Sequence, residues 1–227
     1  MPSHAMHFFG LGLALFAAVP LSSHAATTVF VNRCVGNCQF SAGADNAVTN
    51  TSSVLSVAVS LTAFQHGDAA FAQVTACVTE LLAPFDIVVT TIDPSPASHF
   101  ELVVAGTAAQ AGQQGGVTGL APQACGVVPN APVFAFANSI GNDPTIICET
   151  AVSQLGAVAG LEVLFNCPDV MSFLNGCGPK SFRNENSNCG GFQAASCVCG
   201  GSTRNSYLVM RAAFGAADRL FNNGFEN

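Results

Sequence analysis

The chain has 227 residues, half of them hydrophobic and only 8 % charged, and that balance excludes an intrinsically disordered protein. Its formal charge of −7 comes from 13 acids set against six scattered Lys and Arg without a basic cluster, which argues against nucleic acid as a partner.

In chain order, the first feature is an apolar run at residues 8–19 (FFGLGLALFAAV) that stops at Pro20. Ser23-His24-Ala25 follows, a small-x-small pattern that suits a signal-peptidase cut after Ala25. A run of about a dozen residues is too short for a membrane-spanning helix of ~20. The segment ahead of it carries His4 and His7 but no Lys or Arg, which departs from the usual signal pattern. The expectation is a signal peptide over 1–25 and a single exported domain over 26–227, secreted or periplasmic, with no membrane span in the mature chain.

All ten cysteines (Cys34, Cys38, Cys77, Cys125, Cys148, Cys167, Cys177, Cys189, Cys197 and Cys199) lie beyond that cut. An even number in an exported chain predicts five disulfides. No Cys-x-x-Cys pair is present, so a zinc ribbon is disfavoured. Cys197 and Cys199 are expected to bond elsewhere, since a Cys-x-Cys ring is strained; the remaining connectivity stays open.

Residues 27–32 (TTVFVN) alternate and are rich in branched side chains, which predicts a strand. Residues 34–62 read as a loop pinned by Cys34 and Cys38, with a short strand near 54–61. Asp68 is expected to cap a helix running to Leu82, in which Phe71, Val74, Val78 and Leu81 share one face. Strands follow at 86–92 and 100–105, joined by a Pro-rich turn. Residues 108–119 read as a flexible connector, and 133–138 as another strand. Asp143-Pro144 starts a helix that runs to about Gly160, with a capping residue followed by Pro at the first helical position. Beyond Cys167 the chain is irregular and cysteine-dense until a short helix at 206–214. This order predicts an α+β fold, a mixed sheet with two core helices and a disulfide-rich, loop-rich C-terminal part. His66, beside a helix start, reads as a surface or capping residue and His99 as a solvated turn residue, Asn50-Thr51-Ser52 is a glycosylation sequon only in a eukaryotic host, and 221–226 (FNNGFE) resembles short C-terminal tags of exported bacterial proteins.

Residues 146–173 (IICETAVSQLGAVAGLEVLFNCPDVMSF) resemble the metzincin zinc proteases, in particular matrixin-like exported bacterial members. In that family one helix carries His-Glu-x-x-His, a Gly turns the chain, a third His completes the zinc site and a Met-containing turn lies beneath. Anchored on Gly156 and Gly160-Leu161, the ligand positions fall on Ser153, Ala157 and Val163. The catalytic Glu position falls on Gln154, and Met171 takes the role of the Met-turn residue. The resemblance thus implies a metzincin-like fold with a degenerate zinc motif. Ser, Ala and Val cannot assemble a three-ligand zinc site, and Gln cannot take a proton from water. Only His66 and His99 remain in the expected mature chain, too few for three imidazoles.

The sequence therefore assigns no catalytic residue, no metal ligand and no cofactor. It points to a secreted pseudoprotease that binds an unidentified protein or peptide through the former substrate cleft, between the helix at 144–160 and an edge strand. The alternatives are a secreted peptidase with an unconventional site and an exported domain with a purely structural role. A serine-hydrolase reading fails for lack of a Gly-x-Ser-x-Gly elbow.

Overall fold

The computed structural model describes Met1 and residues 26–217. The expected signal segment and the 221–226 tail lie outside the described residues. The elements in order are β1 (Thr27–Asn32), β2 (Cys38–Ala42), β3 (Thr51–Ser52), β4 (Val59–Leu61), α1 (Gly67–Leu82), β5 (Ile87–Thr90), β6 (Phe100–Val104) and β7 (Gly119–Leu120). There follow β8 (Pro132–Ala135), α2 (Ala137–Ile140), α3 (Pro144–Val158), β9 (Ser187–Asn188), β10 (Thr203–Arg204) and α4 (Ser206–Phe214).

The main sheet has the order β5-β1-β6-β8-β7, with β5, β1, β6 and β8 parallel and β7 antiparallel at the edge. All five residues of β6 (FELVV) are buried, as a central parallel strand covered on both faces requires. On one face Val29, Val31, Leu102, Val104 and Val133 meet α1 and α3. Helix α1 contributes Phe71, Val74, Val78 and Leu82, and α3 contributes Ile147, Val152, Leu155 and Val158. On the other face Val103, Ala105, Phe134 and Phe136 pack against Phe40 and Leu61 of the small β3-β2-β4 sheet. Phe40 meets Phe134 edge-to-face with centroids 5.1 Å apart. The fold is α+β, with two core helices on one side of the sheet.

Five disulfides close the chain: Cys34–Cys38, Cys77–Cys148, Cys125–Cys199, Cys167–Cys177 and Cys189–Cys197. Cys197 and Cys199 do take separate partners. A chain closed in this way folds in an oxidising extracellular or periplasmic environment. Among the described residues no helix is long and apolar enough to cross a membrane.

Several local expectations need correction. The 34–62 segment forms β2, β3 and β4 rather than a loop with one strand, and the strand near 54–61 is confined to Val59–Leu61. The 108–119 connector holds a 3-10 turn, closed by a reciprocal Thr107–Gln110 capping box, and ends on β7. The strand at 133–138 stops at Ala135, because Ala137 and Asn138 begin α2. Asp68 does not cap α1; it sits in the first turn and pairs with Arg33 at 2.7 Å. His66 takes the cap position, one of the two roles expected of it, without a side-chain cap bond, and its Nε2 lies 3.0 Å from the Ala137 carbonyl. His99 is buried at 2 % exposure, edge-on to Phe30, because the turn before β6 folds over that face.

Candidate functional site

Helix α3 starts where Asp143 accepts hydrogen bonds from the backbone N–H groups of Thr145 and Ile146, both 3.1 Å, with Pro144 at the first position. Its sheet-facing side is buried. On the opposite side Glu149, Thr150, Ser153, Gln154 and Ala157 form a half-open stripe at helical spacing, and Gly160 and Val163 extend it beyond the helix. The sequence-derived positions Ser153, Gln154, Ala157 and Val163 are thus all half-buried and follow one another along this stripe.

The helix ends at Val158, and Gly160 adopts φ +96°, a left-handed conformation that only Gly takes without cost. A Cβ there would also come within 3.2 Å of the Gly126 backbone. The chain then doubles back, with Leu161 N–H donating to the Gly156 carbonyl at 3.0 Å. Leu164 N–H donates to the Met171 carbonyl at 3.1 Å, which draws the 169–172 turn beneath the helix. Met171 is buried, and a Cβ added at Gly156 would overlap its Sδ. Gly156→Ala is therefore expected to destabilise the domain by about 1–3 kcal/mol through overpacking. Met171→Ala should relieve part of that penalty in a thermal-denaturation double-mutant cycle. Strictly additive losses would show that helix and turn do not bear on one another.

Asp169 anchors the turn. Its Oδ1 accepts from Met171 N–H at 2.9 Å, and its Oδ2 accepts from Ser206 Oγ at 2.5 Å and Arg183 N–H at 3.3 Å. Burial raises its pKa, and these bonds oppose the shift by favouring the carboxylate. Glu162 anchors the neighbouring wall: its carboxylate accepts from Val198 N–H at 2.6 Å and Cys199 N–H at 2.7 Å, with Arg204 at 3.9 Å. Its oxygen also lies near the Cys189 and Cys197 sulfurs, a ligand-like grouping, but those sulfurs are bonded to each other and present no thiolate. Lys180 spans from the turn to α3, donating to the Ser172 carbonyl at 2.8 Å and lying 3.8 Å from Glu149, whose pKa burial raises against the pull of Lys180.

The other side of the stripe is β7. A Cβ on Gly119 would come within 2.6 Å of Gln154 Nε2, so the glycine admits the amide against the edge strand. Gln154 Nε2 donates to Ser153 Oγ at 3.2 Å, and Ser153 Oγ donates to the Thr150 carbonyl at 2.8 Å. Glu149, nearer the start of the stripe, is engaged by Lys180, and the four sequence-derived positions therefore offer an amide, a hydroxyl already donating within the helix, and hydrocarbon at Ala157 and Val163. Such a set does not fit zinc, which needs imidazole, thiolate or carboxylate donors. The means of contact at these four positions are hydrogen bonding, apolar packing and the neighbouring strand edge.

Sequence reasoning passed over Glu162 and Gly119, and it placed Asp169 in the Met-turn-like run 169–173 without giving it a role of its own. Two of the three left a trace. Asp169 stands two residues before the buried Met, where an Asx side chain folds over the i+2 N–H. Glu162 is a lone acid in the run GLEVLF, where a charge has to find partners. Gly119 left none, since β7 is two residues long. No family model, no curated protein and no solved structure matches this chain.

Proposed function

We propose that the chain is a metzincin-like protein with a degenerate zinc site, and that it binds an extended peptide or protein segment in the cleft between α3 and β7. The observation that carries this reading is the half-open stripe Ser153, Gln154, Ala157, Gly160 and Val163, set above buried Met171 and beside an antiparallel edge strand. The left-handed Gly160 and the fit of Gly156 onto Met171 support it further. An extended segment would pair with the free side of β7 and lay alternate side chains on Ala157 and Val163.

The relationship is tested by returning the four positions to the ligand pattern. The variant Ser153→His, Gln154→Glu, Ala157→His, Val163→His is expected to take up about one zinc per chain, as three converging imidazoles do. Failure of the folded variant to bind zinc, with circular dichroism unchanged, would sink the relationship. The binding role is tested with an array of extended peptides on the mature protein: Ala157→Arg should weaken every captured peptide at least tenfold. Equal capture by both proteins would place binding elsewhere.

A further inference from the structure

Among the described residues Asn175 is the one asparagine followed by glycine, and it lies in the ring that Cys167–Cys177 closes. Residues 175–179 are all exposed, as a loop outside the core allows. Gly176 takes φ +84°, a left-handed conformation open to glycine without cost, and nothing lies within 4 Å of the place a Cβ would fill. The turn therefore demands the residue whose backbone nitrogen is least shielded. Among the described residues no hydrogen bond holds Gly176 N–H or the Asn175 side-chain amide. Other asparagine amides are tied down: Asn37 Oδ1 accepts from Ala63 N–H at 3.3 Å, Asn138 Oδ1 from Gln65 N–H at 3.1 Å, and Asn205 Oδ1 from Leu208 N–H at 2.9 Å.

A carboxamide next to an unhindered backbone nitrogen can close a succinimide ring. We propose that Asn175 is a self-modifying site, converted to aspartate and isoaspartate by attack of the neighbouring peptide nitrogen. The Gly176 nitrogen gives up its proton to solvent and bonds to Asn175 Cγ; the Cγ–Nδ2 bond then breaks and ammonia leaves, taking up a proton from solvent. Water opens the succinimide in one of two ways. Addition at Cγ restores the peptide as aspartate, whereas addition at the main-chain carbonyl carbon of residue 175 routes the backbone through Cβ and Cγ as isoaspartate. The net change is one water taken up and one ammonia released, with no oxidant or reductant. Either product brings a further negative charge to the loop. The loop is tied on both sides of the site, by Lys180 on the Ser172 carbonyl and by Cys177 on Cys167, so conversion leaves the core packing in place.

The test incubates the whole chain, bridges intact, in neutral buffer. After unfolding and reduction, chymotrypsin cuts beyond Phe173 and Phe182, and chromatography with mass spectrometry separates the amide, aspartate and isoaspartate forms of fragment 174–182. Residue 175 is expected to convert at least ~tenfold faster than Asn37 and Asn205, with isoaspartate among the products. The folded chain should keep pace with a synthetic 174–182 peptide, since nothing shields the step. Gly176→Ala, whose Cβ crowds the attacking nitrogen, should slow the loss about tenfold. Asn175→Gln, whose longer side chain cannot form the same ring, should stay intact with circular dichroism unchanged. An amide at 175 that survives in the folded chain while the peptide converts overturns the proposal. So does aspartate without isoaspartate, since water would then have attacked the side-chain amide directly.

Discussion

Replacing Cys77 and Cys148 together by Ala is expected to cost the folded domain about 4 kcal/mol. The bridge joins α1 to α3 across 71 residues of chain, and most of its effect lies in the unfolded state, where it removes the freedom of that long loop. Both helices are packed on the same face of the sheet, with Cys148 fully buried, so the native arrangement already brings the two residues together. The corresponding removal of Cys34 and Cys38, only four residues apart, should cost about 2 kcal/mol. Equilibrium guanidinium unfolding of the two double variants in non-reducing buffer checks both the size and the ranking. A loss below about 1 kcal/mol for the first variant would refute a dominant role for loop closure.

The second large effect concerns Glu101, at the centre of the main sheet. Its side chain is 2 % exposed; Oε1 accepts from Asn32 Nδ2 at 2.6 Å, while Oε2 is the one buried side-chain polar atom without a partner among the described residues. Burial pushes its carboxyl from the ordinary 4.5 up to about 7, the Asn32 bond resisting and the charge of Asp93 adding to the rise. Between those two values the folded protein holds a proton that the unfolded chain has released. Stability from this group is therefore fully present below pH 4.5 and is lost as pH rises through 7, by about 3 kcal/mol in all. Glu101→Gln, which stays neutral, should remove that slope, so that wild type loses more stability than the variant between pH 5 and pH 8. Denaturation at the two pH values measures the difference, which separates Glu101 from Asp169 and Glu149, both also raised by burial. Identical slopes would show that Glu101 ionises freely.

The same residue shows what the sequence conveys and what it withholds. FELVV reads as a strand, and it is one, but whether its Glu faces water depends on what covers the second face of the sheet. That cover is the β3-β2-β4 layer, built from a Ser-, Thr- and Asn-rich stretch whose strands are two to five residues long. Such strands lack the length to show a period. The helices were legible because their signals are local: Asp143-Pro144 caps and starts α3, and Phe71, Val74 and Val78 keep helical spacing over α1. On α3, the Gly-x-x-x-Gly-Leu run coincides with the left-handed Gly160 and with Gly156 packed on Met171, both of which are local features. The edge strand opposite it comes from residues 119–120, which carry no pattern of their own, and disulfide partners far apart in sequence meet only through tertiary packing.

Two of the bridges have a joint consequence for the integrity of the molecule. Cys77–Cys148 and Cys125–Cys199 close covalent rings that overlap between residues 125 and 148. Hydrolysis of any single peptide bond between Cys77 and Cys199 therefore opens a ring without dividing the molecule. Every surface loop from the end of α1 to the C-terminal cysteine cluster lies inside these two rings, together with α3 and β7. A nicked chain keeps its full mass on a non-reducing gel and falls into two pieces only once a thiol is added. A first cut anywhere in this stretch leaves both fragments attached.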